Sequence, residues 1–116
     1  MEYTDLELNK MIGELEGEVL VIYNESNLLH ENDQGHMYEN NMTMDWYNPI
    51  KDWRILGPLM VKYKVCLCRE NNSVYIINPN AKSYDYNPML AEVEFESESE
   101  IPRAIIMCIL ISENII

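Results

Sequence analysis

Four glycines are scattered through the 116 residues, and none falls into a GxGxxG or P-loop spacing, so no glycine-rich phosphate cradle is written into the chain. Cysteine is equally sparse. Cys66, Cys68 and Cys108 are odd in number and lack a CxxC pair. Cys66 and Cys68, two apart on one strand, are too constrained to bridge each other, and reduced thiols are expected. GxSxG, HExxH and any recognisable Cys–His signature are missing too, so no residue is nominated for catalysis and no cofactor is expected. Long apolar runs are absent. The longest, 101–111, is too short to span a bilayer and is broken by Arg103. The opening Met1-Glu2-Tyr3-Thr4-Asp5 has neither the basic nor the apolar region of a signal peptide, and a cytoplasmic protein is expected.

Basic residues are the last scarcity. Eight lysines and arginines face twenty aspartates and glutamates, for a formal charge of −12. The charge is uneven: −10 over residues 1–45, +4 over 46–82 and −6 over 83–116. Such a field repels nucleic acid and anionic membranes and speeds encounter with basic proteins.

The acids are most ordered in Ala91-Glu92-Val93-Glu94-Phe95-Glu96-Ser97-Glu98-Ser99-Glu100. Read as one strand, this places Ala91, Val93 and Phe95 inward and Glu92, Glu94, Glu96, Glu98 and Glu100 on one outer face, about 6.6 Å apart. That spacing is not far from that of phosphates along a nucleic-acid strand. Five like charges in a row also exceed what protection of a sheet edge needs.

Around this segment the periodicity predicts a single α+β domain over 1–116. Thr4-Asp5-Leu6-Glu7 reads as a capping box, followed by Leu8, Met11, Ile12 and Leu15 at helical spacing and Gly17 as a stop. Residues 19–23 predict a buried strand. Residues 24–45 read as a long polar loop, within which Met37, Met42 and Met44 approach Trp46 and Tyr47; residues 37–47 are expected to pack on a second protein surface. A helix follows from Asn48-Pro49 or Asp52-Trp53, kinked or delayed by Gly57-Pro58, with Trp53, Leu56, Leu59, Met60 and Tyr63 inward. Strands are predicted at 65–69 and 74–78, and Pro102 opens an apolar helix over 103–112. The expected architecture is an antiparallel sheet of three or four strands flanked by the N- and C-terminal helices. Its core would hold Leu8, Ile12, Leu15, Trp53, Leu59, Val65, Leu67, Val93, Phe95, Ala104 and Cys108.

The stretch Asp52-Trp53-Arg54-Ile55-Leu56-Gly57-Pro58-Leu59-Met60-Val61-Lys62-Tyr63-Lys64-Val65-Cys66-Leu67 resembles a motif of small bacteriophage proteins, a Trp-containing helix with Gly-Pro-Leu that passes into a strand. Ile101-Pro102-Arg103-Ala104-Ile105-Ile106-Met107-Cys108-Ile109-Leu110 is similar to their closing helix, and Leu8-Asn9-Lys10-Met11-Ile12-Gly13 to their opening. The resemblance, to the phage ABA-sandwich and NinX-like domains, covers residues 4–16 and 46–112; the loop at 24–45 departs from it as an insertion. It implies helices flanking a small antiparallel sheet, phage origin and an accessory role in the infected bacterial cell. It carries over no reaction.

The partner expected from charge and resemblance together is a basic host protein, such as a CRISPR effector, held by phosphate mimicry. Glu92, Glu94, Glu96, Glu98 and Glu100 are the leading contact residues, with Asp33, Glu39, Met42, Met44 and Trp46 added from the loop. Two alternatives stand beside it. Lys62, Lys64 and Arg69 around Trp53 or Tyr63 could hold a nucleotide signal in a small oligomer, or the chain could be a non-inhibitory phage component. His30-Glu31-Asn32-Asp33-Gln34-Gly35-His36 gathers imidazoles and carboxylates, but in no zinc spacing.

Overall fold

The computed structural model describes residues 2–31, 46–82 and 88–116. Helix α1, Asp5–Leu15, starts at the capping box its sequence announces: the Thr4 hydroxyl accepts from the Glu7 amide at 3.1 Å, and the Glu7 carboxylate accepts from the Thr4 amide at 3.0 Å. Gly17 follows with φ +83°, the left-handed turn a glycine makes without strain. Strand β1, Leu20–Ile22, comes next, and β2, Leu28–His30, pairs with it antiparallel. Strand β2 lies inside the stretch expected to be loop. Its Leu28 and Leu29 are buried, so part of the core sits there as well. The buried strand expected at 19–23 is instead one side of a two-stranded ribbon, and Val19, Ile22 and Tyr23 are exposed.

Helix α2, Trp53–Tyr63, is capped by Asp52, whose carboxylate accepts from the Arg54 amide at 3.0 Å. It runs through Gly57-Pro58 and ends where Lys64 turns left-handed at φ 57°. Leu56 and Leu59 are buried as expected, but Trp53 is 56% exposed. At 3.6 residues per turn Trp53 stands about a quarter turn from the line through Leu56, Leu59 and Tyr63, so it clears the core.

Strands β3, Cys66–Cys68, β4, Ser73–Ile77, and β5, Met89–Glu94, form a second antiparallel sheet in the order β3-β4-β5. Helix α3, Ile101–Ser112, opens with Pro102 in its first turn and crosses β4 and β5. Its other side meets α1 and α2, so α3 is the central element. Ile105, Ile106, Ile109, Leu110 and Cys108 are fully enclosed there with Leu8, Ile12 and Val74. Burial pushes the Cys108 thiol up to about 12, helped by the charges of Glu92 and Cys66. The expected α+β architecture with helices from both ends holds, with two small sheets rather than one. Phe95 is buried and Glu94 exposed, the register the alternation demands. Leu67 does not join the core as expected, because it stands on β3, beyond the strands that α3 covers.

Asn9, 2% exposed, ties α1 to the segment before α2. Its amide donates to the Asn48 Oδ1 at 2.9 Å, and its carbonyl accepts from the Ile50 amide at 3.3 Å.

Candidate functional site

The five-glutamate segment divides into two structures. Glu92 and Glu94 stand on β5 and share its outer face with Tyr75, Ser73 and the half-buried Cys66 and Cys68 of the neighbouring strands. The Ser73 hydroxyl donates to the Glu92 carboxylate at 3.2 Å. The chain leaves the sheet at Phe95, whose amide still bonds the Asn72 carbonyl at 2.8 Å. Glu96 and Ser97 bend, and Glu98–Glu100 form a single 3₁₀ turn leading into α3.

The continuous line of five carboxylates is therefore corrected to a pair followed by a curl. The cause is local. Ser97-x-x-Glu100 before an apolar run is a capping signal, and it competes with the strand alternation and ends it. The Glu100 carboxylate accepts from the Glu96 amide at 2.7 Å and from the Ser97 amide at 3.4 Å. Glu98 pairs with Arg69 of the turn between β3 and β4. All five carboxylates remain on the surface.

The same end of the fold gathers further acid. Arg103 of α3 donates to the Asp5 carboxylate at 2.7 Å and to the Tyr3 carbonyl, drawing the start of α1 beside the start of α3. Arg103 also borders a shallow recess of about 180 Å³ with Glu94, Phe95 and Glu100. Asp5 is thus brought toward the curl by Arg103, while Arg69 pairs with Glu98 within it.

Of the loop residues expected to make contacts, Asp33, Glu39, Met42 and Met44 lie outside the described residues. Trp46 stacks on Tyr23, ring centroids 5.2 Å apart. Tyr47 is 6% exposed and packs in this domain's own core, which corrects the expectation that it meets a second protein. Its phenol is pushed up to about 12 by burial and by the charges of Glu18 and Glu16.

A second concave region separates α2 from the β1–β2 ribbon. Two adjoining recesses of about 360 and 260 Å³ share His30, Tyr47, Arg54 and Ile55. Two ion pairs edge them, Lys62 with Glu16 at 2.9 Å and Arg54 with Asp52 at 2.9 Å, and the His30 Nε2 stands 2.8 Å from the Glu18 carboxylate. Tyr63 also donates to Glu16, at 2.6 Å. Burial pushes the Glu16 carboxyl up, but the bonds from Tyr63 and Lys62 and the Lys62 charge outweigh it and hold it below the usual range.

Two of the basic trio considered for a nucleotide already carry acidic partners. Lys62 is held by Glu16, Arg69 by Glu98, and Trp53 faces solvent. Among the described residues no group of three or more histidine, cysteine or acidic side chains is placed to hold a metal. None of the helices among them is long and apolar enough to cross a membrane.

No curated protein and no solved structure matches the chain. The family model described as bacteriophage P22 NinX matches residues 1–112, a span that takes in residues 24–45 as well as the three quoted motifs, and the chain belongs to that family.

Proposed function

We propose that this phage accessory protein acts by binding rather than by catalysis, and that it engages a basic surface of a host protein through its acidic end. The observation that carries the reading is the surface formed by Glu92, Glu94, Glu96, Glu98 and Glu100, joined to the acidic start of α1 through Arg103 on a chain of net charge −12. Carboxylates form charge-assisted hydrogen bonds with arginine and lysine much as phosphates do. The host surface of matching charge is the nucleic-acid groove of a DNA- or RNA-binding effector, a CRISPR nuclease being one such target. Because the carboxylates curl after Glu94, mimicry rests on charge density over a patch rather than on a straight row of phosphate spacing.

The test is displacement of a fluorescent oligonucleotide from such an effector. The parent protein displaces it, with a potency that falls as salt rises. Glutamine at all five positions lowers the formal charge to −7 and is expected to weaken displacement more than tenfold and to flatten the salt dependence. A variant that displaces as well as the parent would remove the charge mechanism.

A further inference from the structure

Strand β5 has β4 on one side and, among the described residues, no strand on the other. The hydrogen-bond parity of its open side follows from one contact. Phe95 donates to the Asn72 carbonyl, so Phe95 faces β4, and with it Val93 and Ala91, opposite Val74 and Ile76. Glu92 and Glu94 therefore turn both their amide and their carbonyl away from the sheet. These four groups have no backbone partner among the described residues.

The free stretch has defined ends. A register shift between Ile76 and Ile77 leaves Leu90 unpaired between Ala91 and Met89 and bounds it on one side. On the other, the Glu100 carboxylate takes the Glu96 amide and closes the edge. The residues that present the free backbone groups also present exposed carboxylates on one face of the strand.

That combination selects its occupant. An added strand satisfies the four backbone groups, and residues directly opposite Glu92 and Glu94 stand about 5 Å from them. Lysine or arginine two residues apart fits those positions. A second copy of this edge would set glutamate against glutamate, which is how natural sheets block self-pairing. We propose that the β5 edge at Glu92 and Glu94 is a docking rail for an extended segment of the partner, carrying alternate basic residues and joining the sheet as a fourth strand. This deepens the acidic-surface reading above and rests on it.

The probe is an end-capped heptapeptide alternating lysine with threonine, alongside an analogue N-methylated on the amides of one edge, which keeps every charge and loses the donors. Titrated into isotope-labelled full chain, the plain peptide is expected to slow amide exchange at Glu92 and Glu94 at least tenfold. The analogue is expected to bind about tenfold more weakly or worse, the worth of one or two hydrogen bonds. In the protein, Glu92→Pro removes an outward amide that the sheet does not use and is tolerated at such an edge. It should bind the plain peptide about tenfold more weakly than Glu92→Gln, which matches its charge.

Equal binding of both peptides, or equal binding by the two variants, would overturn strand addition and leave the acidic-surface reading intact. Exchange protection at Glu92 and Glu94 that grows with protein concentration alone would give the edge to a second copy and overturn the basic partner. No binding of either peptide at millimolar concentration would overturn the rail, while the five-glutamine displacement assay decides the broader reading separately.

Discussion

Glu16 shows how one carboxylate can join distant parts of this chain. Its side chain is 17% exposed and accepts from Lys62 and Tyr63, more than forty residues away. Because its pKa in the folded protein is lowered from 4.5, its contribution is fully present above that value and is lost as pH falls through the lowered one. Glu16→Gln should therefore cost about 1 kcal/mol at pH 7, with the difference from the parent shrinking below about pH 4. Thermal melts of both proteins across that range check it. A constant difference would assign the loss to packing rather than charge. Neither partner was legible from residue 16 itself, since nothing in Glu14-Leu15-Glu16-Gly17 marks one glutamate as bonded to distant α2 and the other as paired with Lys10 on its own helix.

At the scale of elements, strand β5 and helix α3 were the most legible, because their patterns leave little choice of face. Phe95 is buried at the last inward position of the glutamate segment. Phe95→Ala is expected to cost about 3–5 kcal/mol, whereas Glu94→Ala beside it should stay within about 0.5 kcal/mol. Urea unfolding of the two variants measures this directly, and similar losses would put the register in error. The strand's end was legible only in principle. Alternation argued for continuing to Glu100, while Ser97-x-x-Glu100 argued for a cap, and the closing helix settles the conflict by needing an entry turn. Strand β2 was hidden for a different reason. Asn27-Leu28-Leu29-His30 is too short to show a period, and it becomes a strand by pairing with β1.

On the scale of the whole molecule, the excess of acid must work against the compact state. A charge of −12 on 116 residues repels itself, and the described ion pairs leave several carboxylates at the α1–β5 end without a basic partner. Raising salt from about 0.02 to 0.5 M is expected to increase Tm by several degrees through screening. The five-glutamine variant should melt higher at low salt and respond less. Calorimetric scans of the two proteins test this, and a Tm that falls with salt would mean that attractive pairs dominate. Charge held at a cost in stability is what a surface kept for a basic partner requires.

The sequence by itself determined the helices, the β3–β4 hairpin, the inward face of β5 and the sign of the molecular field, because these depend on spacing and composition within short windows. Tertiary structure decided the rest. Trp53 and Leu67 are apolar at suitable positions, yet Trp53 stands about a quarter turn off the buried line of α2 and Leu67 lies on β3, beyond the strands that α3 covers. Tyr47, read as a contact for another protein, is taken into this one's core. Whether a carboxylate points to solvent, a cap or an arginine depends on what the fold brings within about 3 Å. That is why the acidic segment could be recognised in the sequence, while its division into a strand pair at Glu92 and Glu94 and a curl at Glu98 and Glu100 appeared only when β5 met β4 and α3.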